Sequence, residues 1–530
     1  MSTNRRIFLK QLGLATVGTS MLISSSDDLY AFNSTKVSLP RSTPEKQGVR
    51  SAGISKFLDA IEQSKIEFHS IMVVRHGHVI AEGWWSPYAA DLKHTLYSLS
   101  KSFTSTAVGL AISEGTFTLE SKVTSFFPND LPTEISPNLS AMNVQHLLEM
   151  ASGHEKDTIP PMRTGSDINW IKVFLNLPVE NVPGSKFVYN TGATYMLSAI
   201  VQKTTGKPLE EYLKSRLFDP LGMNDFDWEM SPQGINTGGY GLRIHTEDIA
   251  KFGQLYLQKG KWKGKQLIPA AWIADATKYH VDNTPTRGKY SKETDDWAQG
   301  YGYQFWRCTH NAVRGDGAFG QFCIMMPEQD AMVAITGESF DLHRSIGLVW
   351  SDLFPAIGAT VIPENPLSNK ALTERLKGLT IEPPKSAKTS DTVAKIDSKQ
   401  FQLAGNKYEI DKVLFIFGNE FGMLSLTSGT REVRISFGSE KWKEEKNSKT
   451  QQIFPLDGRP VVSTPVMASA TWVDPATLQL SIRYIATAHS DEILFKFEDN
   501  RVSIRFLSSV AKGNPDAPEK RAMITGTMIA

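Results

Sequence analysis

Ser98 and Lys101 stand three residues apart in Tyr97-Ser98-Leu99-Ser100-Lys101-Ser102-Phe103, a stretch that continues through Thr104, Ala107, Leu110 and Ala111 to Glu114-Gly115. On a helix that spacing puts both side chains on one face, within hydrogen-bonding reach. A serine hydroxyl is a weak nucleophile until a neighbouring base takes its proton, and a lysine serves as that base only where burial or another cation lowers its pKa. No carboxylate occurs from Leu92 to Ser113, and Gly115 supplies a helix stop. The spacing recurs at Ser509-Val510-Ala511-Lys512, but that copy runs into Gly513-Asn514-Pro515, so no helix is expected to follow it.

A nucleophile needs a second proton-handling group and a site for the developing oxyanion. Downstream, Pro183-Gly184-Ser185-Lys186-Phe187-Val188-Tyr189-Asn190-Thr191-Gly192 places Tyr189 in a loop just before a helix. Arg314-Gly315-Asp316-Gly317-Ala318-Phe319-Gly320-Gln321 opens a strand whose small residues let a substrate approach the backbone.

The elements that must position these residues are readable in outline. Ala52 to Lys65 has helical spacing through Ile54, Phe57, Leu58 and Ile61, and Ile71–Val74 with Val79–Ala81 flank His76-Gly77 as a hairpin. From Phe117 to about Gly239 the pattern is helices broken by Pro and Gly loops, one of them spanning Ala193 to Thr204. Thr246-Glu247-Asp248 is expected to cap the amphipathic helix Ile249–Leu257. Strand patterns return at Tyr301–Trp306, Gln321–Met326 and Ala331–Thr336, before a helix from Leu342 to Leu353. Strands from both ends must therefore share one sheet, an antiparallel five-stranded sheet packed with helices, with a helical subdomain inserted on one side: an α+β domain over 40–362. A Pro- and Lys-rich linker is expected over 363–395, then an all-β, barrel-like domain over 396–530, with alternating segments such as Val433–Phe437, Leu478–Ile485 and Val502–Phe506.

Five blocks in this order resemble the serine β-lactamase and D,D-peptidase superfamily, in its class C-like branch of esterases, D-aminopeptidases and 6-aminohexanoate-dimer hydrolases. They are Tyr97–Ser105, His146-Leu147-Leu148 with Ser152-Gly153, Pro183–Leu197, Gly241-Leu242-Arg243 with Asp248 and Phe252-Gly253, and Gly315–Gln321. The resemblance implies a β-lactamase-like fold over about residues 40–360, Ser98 as acylated nucleophile, Lys101 as its base and Tyr189 as proton relay to the leaving group. It places the oxyanion between the backbone N–H groups of Ser98 and Ala318, on the strand carrying Gly315, Asp316 and Gly317. Two departures bear on substrate. Tyr-x-Asn is here Tyr189-Asn190-Thr191, so the amide that holds an acylamide side chain is missing or replaced by Thr191. Lys-Thr-Gly or His-x-Gly is here Gly315-Asp316-Gly317, which removes the cation that meets a carboxylate unless Arg314 substitutes, and Asp316 would repel an anion. Together these imply a hydrolase of neutral or cationic esters or amides rather than an efficient penicillinase or carboxypeptidase.

The 530 residues carry 57 basic and 56 acidic side chains, a net charge of +1 that gives no electrostatic case for nucleic acid or an anionic membrane. Thr3-Asn4-Arg5-Arg6-Ile7-Phe8-Leu9-Lys10 before a mildly apolar run from Leu12 to Ser26 looks like a twin-arginine export signal within 1–31, cleaved after Ser26 or Ala31. That run is too short and polar for a stable membrane anchor, so a periplasmic or secreted location is expected. Cys308 and Cys323 lie in neighbouring strand segments and are expected as buried free thiols rather than a pair. No metal-ligand cluster or Gly-rich phosphate loop is present, so neither metal nor cofactor is expected, and the expected partner is a small or oligomeric ester or amide substrate. Two other readings fit the altered motifs: a non-hydrolytic ligand-binding or sensor protein with a docking β domain, and a β-lactamase or D,D-peptidase proper.

Overall fold

Strand β1 (Glu67–Arg75) is apolar along Ile71-Met72-Val73-Val74 and buried from Phe68 to Arg75, as a strand covered on both faces must be. It lies between its hairpin partner β2 (His78–Trp84) and β6 (Ala331–Glu338), with Val73 opposite Ala81 on one side and Val333 on the other. The sheet continues through β5 (Gln321–Met326) and β4 (Val313–Gly317) to β3 (Trp306–Arg307), in the order β2-β1-β6-β5-β4-β3. The computed structural model from which this arrangement is read describes residues 38–530 except 166–167, 285–292, 359, 445–449, 452–462, 515 and 530. The export signal expected over 1–31 lies outside the described residues.

The sheet therefore has six strands, not five, all adjacent pairs antiparallel. The strand beyond those expected is β4, whose residues read in sequence only as the entry to Gln321–Met326, and β3 is a two-residue edge. The expected strand Tyr301–Trp306 shortens to it because the backbone turns at Gln304 (φ 64) and Gly302 packs where a Cβ would lie 2.2 Å from the Ala276 carbonyl oxygen.

Helix α1 (Ser51–Ser64) turns Ile54, Phe57, Leu58 and Ile61 into the core, and burying each such side chain contributes about 1.5–3 kcal/mol. Helix α4 (Thr246–Leu257) packs on β1, β5 and β6. Its N-cap is His245 rather than a residue of the Thr246–Asp248 segment, with Asp248 closing a capping box from inside the helix. Helix α2 (Ser100–Ser113) is buried continuously from Ser100 to Ala111, so its small and hydroxyl residues meet protein on every side, including α3 (Thr191–Thr205). The helix expected from Leu342 is present as Leu342–Leu348 and runs on as a π-helical turn to Leu353.

Within the segment expected as a linker, residues Pro366–Lys377 form helix α5, started by the Asn365 cap and Pro366. Leu372 and Leu376 join the core of the first domain, so composition there marks a polar surface helix and not a free tether.

The C-terminal part is a closed barrel. Strands β7 (Gln400–Leu403), β8 (Lys412–Phe417), β9 (Phe421–Ser428), β10 (Arg431–Ser439), β11 (Val466–Asp474), β12 (Thr477–Tyr484), β13 (Ser490–Glu498), β14 (Arg501–Ser508) and β15 (Ile524–Ile529) run in the order β10-β9-β8-β7-β15-β14-β13-β12-β11. A short parallel pairing of Gly438 with Ser469 joins β10 to β11 and removes the edges. Phe415, Trp472, Ile482, Phe495 and Phe497 fill the interior. The barrel is seated on the first domain by a two-bonded Arg483–Glu67 ion pair at 2.6 and 2.9 Å and by a buried cluster of Tyr88, Met467 and Ile485.

Ser509–Gly513 is itself one short helical turn, capped by Ser508 through the Ala511 N–H, and among the described residues no helix follows it. Its Lys512 reaches Glu492 at 2.6 Å, while the Ser509 hydroxyl bonds Glu338. The repeated spacing there thus makes no serine–lysine pair. Cys308 and Cys323 are both free and buried. Among the described residues no helix is long and apolar enough to cross a membrane.

Candidate active site

Ser98 occupies a single 3-10 turn (Tyr97–Leu99) that feeds directly into α2, so its partly exposed hydroxyl sits one turn before the buried Lys101. Lys101 Nζ is 2.9 Å from Ser98 Oγ and donates to the Gly239 carbonyl at 2.8 Å, with Thr191 Oγ1 at 3.4 Å. Burial lowers the lysine pKa to about 7, although Asp157 and Asp316 act to raise it. An amine with that pKa is substantially neutral near pH 7 and has a lone pair for a proton.

Tyr189 stacks on Trp306 at 5.6 Å between centroids, and Lys101 Nζ lies 4.9 Å from its ring centre. Burial and the Asp316 charge push its phenol well above the ordinary range, while the nearby Ser98 hydroxyl acts the other way. Tyr189 is therefore a neutral O–H group and not a phenolate.

The structure brings Ser98, Lys101, Tyr189 and Thr191 together, and places Ala318 at the end of β4 beside the turn that holds Ser98. Gly315 and Gly317 serve close packing. A Cβ on Gly315 would stand 2.5 Å from Leu99 Cδ1 and Ser102 Oγ, and one on Gly317 2.1 Å from the Leu96 carbonyl oxygen. No lysine side chain fits at 315 while the nucleophile turn presses on the strand.

Arg314 does not take its place. The guanidinium is fully buried, donates to Asp316 Oδ2 at 2.9 Å and to the Asp296 carbonyl at 2.7 Å, and lies over the Trp297 ring at 4.2 Å. It pairs with Asp316 from within the protein and faces away from the nucleophile. Asn190 is likewise spent on structure: its Oδ1 accepts from the Gly192 and Ala193 N–H groups and from Thr158, capping α3.

Three contributors escaped the sequence reading. The Gly239 carbonyl fixes the lysine, and Gly238-Gly239 before the Gly241–Arg243 block was the available signal. Asp157, four residues after Gly153, accepts from the Thr191 N–H at 2.9 Å and biases Lys101 electrostatically. His489 comes from the barrel and bonds Tyr97 at 2.7 Å, a contact between residues 392 apart that no local pattern announces. Among the described residues there is no group of side chains able to hold a metal ion.

Several known proteins are similar to this chain. The 6-aminohexanoate-dimer hydrolase of Paenarthrobacter ureafaciens is 24% identical over 317 residues, covering 55% of this chain and 78% of that protein. The beta-lactamase of Escherichia coli (strain K12) is 23% identical over 226 residues, 37% of this chain and 58% of that protein. The octameric penicillin-binding protein homologue from Pyrococcus abyssi superposes with a TM-score of 0.46 and 16% identity, covering 89% of this chain and 99% of that one. The model of the Beta-lactamase family matches residues 56–345, a span that runs from α1 through β6 and contains every residue of the serine–lysine–tyrosine site, and the chain belongs to that family.

Proposed function

We propose that the protein is an exported serine hydrolase that cleaves an ester or amide through an acyl-Ser98 intermediate. The observation that carries this reading is the contact between a buried Lys101 amine, whose pKa is lowered to about 7, and the partly buried Ser98 hydroxyl, 2.9 Å apart. Lys101 takes the Ser98 proton as Oγ attacks the substrate carbonyl carbon. The resulting oxyanion is bound by the Ser98 and Ala318 N–H groups, each donor of this kind being worth on the order of 10²–10³ in rate. Tyr189, a neutral phenol beside Ser98 and Lys101, passes its proton to the leaving group as the carbonyl re-forms, and the Lys101 ammonium re-supplies it. Water then attacks the acyl-serine by the same route in reverse, returning Ser98 and releasing the acid.

The substrate best suited is neutral or cationic where it faces β4. Arg314 is turned inward onto Asp316, and Asp316 and Asp157 both act on Lys101, so the electrostatic setting disfavours a carboxylate there. The relative's printed substrate, a 6-aminohexanoate dimer, falls within the amide class proposed here. The test is intact-mass spectrometry after a fluorophosphonate or p-nitrophenyl acetate pulse. One adduct is expected on wild type and none on Ser98→Ala, and equal labelling of the two would overturn the proposal.

A further inference from the structure

Two non-glycine residues in the left-handed region flank the two proposed oxyanion donors. Tyr97 (φ 46) immediately precedes Ser98, and Phe319 (φ 65) immediately follows Ala318. Side chains avoid that conformation, and it persists where the surroundings hold it in place. Both residues are held by the same group. The His489 ring, on the barrel loop between β12 and β13, meets the Tyr97 hydroxyl through Nε2 at 2.7 Å and lies edge-on to the Phe319 ring at 4.6 Å and 86°. Tyr97 and Phe319 in turn contact each other at 5.2 Å.

The imidazole is itself fixed. Its Nδ1 lies 2.6 Å from Glu338 Oε1 at the end of β6, and the same oxygen accepts from the Ser509 hydroxyl at 2.6 Å. A carboxylate accepts, so Nδ1 carries a proton toward Glu338, and Nε2 is left to meet the Tyr97 hydroxyl. Glu338 and His489 are both buried, so water does not compete for these bonds.

We propose that His489 is a positioning residue through which the C-terminal barrel holds Tyr97 and Phe319, and with them the two backbone N–H groups of the oxyanion site. The barrel then acts as a structural part of the catalytic centre, not as a separate docking module. This rests on the acyl-Ser98 reading for its kinetic consequence, while its structural consequence stands apart from it.

The experiment compares full-length wild type with His489→Ala, His489→Gln and Met467→Ala, the last loosening the barrel's seat on Tyr88 without touching His489. Hydrogen exchange of peptides covering 95–100 and 316–321 is expected to quicken in both segments together in His489→Ala, and not in Met467→Ala. With p-nitrophenyl acetate, kcat of His489→Ala is expected to fall by at least about tenfold with KM within about twofold, as for partial loss of donors used in the transition state. His489→Gln, which can still accept from Tyr97, should recover part of that loss. Exchange and kcat that change no more in His489→Ala than in Met467→Ala would overturn the proposal. Absence of turnover and of labelling in wild type would instead sink the hydrolase reading, and the exchange comparison would still decide whether His489 holds the two segments.

Discussion

The Gly239 carbonyl accepts from Lys101 Nζ at 2.8 Å, so the amine that faces Ser98 is held from a second side by an uncharged backbone group and not by a carboxylate. A carboxylate in that place would stabilise the ammonium and remove the base. With a neutral acceptor, burial decides the protonation state.

The acylation rate should therefore follow the Lys101 amine. Below its pKa of about 7 the lysine is protonated and cannot take the Ser98 proton. kcat/KM for p-nitrophenyl acetate is expected to rise with pH to a plateau, with an apparent pKa near 7. A profile flat from pH 5 to 9 would contradict the role of Lys101.

Asp316 raises the Lys101 pKa, so Asp316→Asn, which removes that charge and leaves Arg314 in place, should move the same midpoint to lower pH. Arg314→Met with Asp316→Asn is the informative pair for stability, because Arg314→Met alone leaves a buried carboxylate unpaired, at a cost of about 3–5 kcal/mol. Urea unfolding should rank the Arg314→Met variant below the double one, and pH–rate profiles of Asp316→Asn should read the shift in midpoint.

Gly315→Lys, which restores the family's usual side chain, should not create a penicillinase. The new Cβ meets Leu99 and Ser102 at 2.5 Å, and overpacking of this kind costs about 1–3 kcal/mol. A lower thermal midpoint and slower Ser98 labelling are expected. Gained turnover of a β-lactam would refute the packing argument.

Burial pushes the Glu67 carboxyl up, but the Arg483 charge and the His69 hydrogen bond hold it well below the usual range. A carboxyl depressed in the folded state adds stability above its unfolded pKa, and that stability is lost as pH falls through the acid range. Arg483→Met should lower stability by about 1.5–3 kcal/mol at pH 7, as for losing charged hydrogen bonds at a partly buried pair. The gap to wild type should narrow by pH 3, where the unpaired Glu67 takes up a proton. Urea titrations at the two pH values measure both.

Much of the site was legible because it is local. Ser98 and Lys101 are one helical turn apart, Tyr189 lies in a Pro-Gly loop before its helix, and Gly315–Gly317 reads as a backbone approached closely. What the pattern misassigned was the partner of that approach, since Gly315 and Gly317 make room for the nucleophile turn itself. Strand β3 was overextended because aromatic alternation in Tyr301–Trp306 reads the same whether a chain is extended or turns at a left-handed Gln304. Helix α5 was taken for a tether because only Leu372 and Leu376 mark its buried face. His489 was invisible for a different reason: a contact with Tyr97 across 392 residues is a property of the assembled fold.

The neighbours of β1 set the order in which this chain can fold. One edge of Ile71-Met72-Val73-Val74 is covered at once by the β2 hairpin, while the other waits for Ala331–Glu338, which arrives only after the whole helical subdomain has been made. During that interval an apolar strand edge stands open, the kind of surface that pairs with other chains. Contacts this distant in sequence also slow folding, so efficient recovery of the protein should depend on low chain concentration or on chaperones that shield β1 during synthesis.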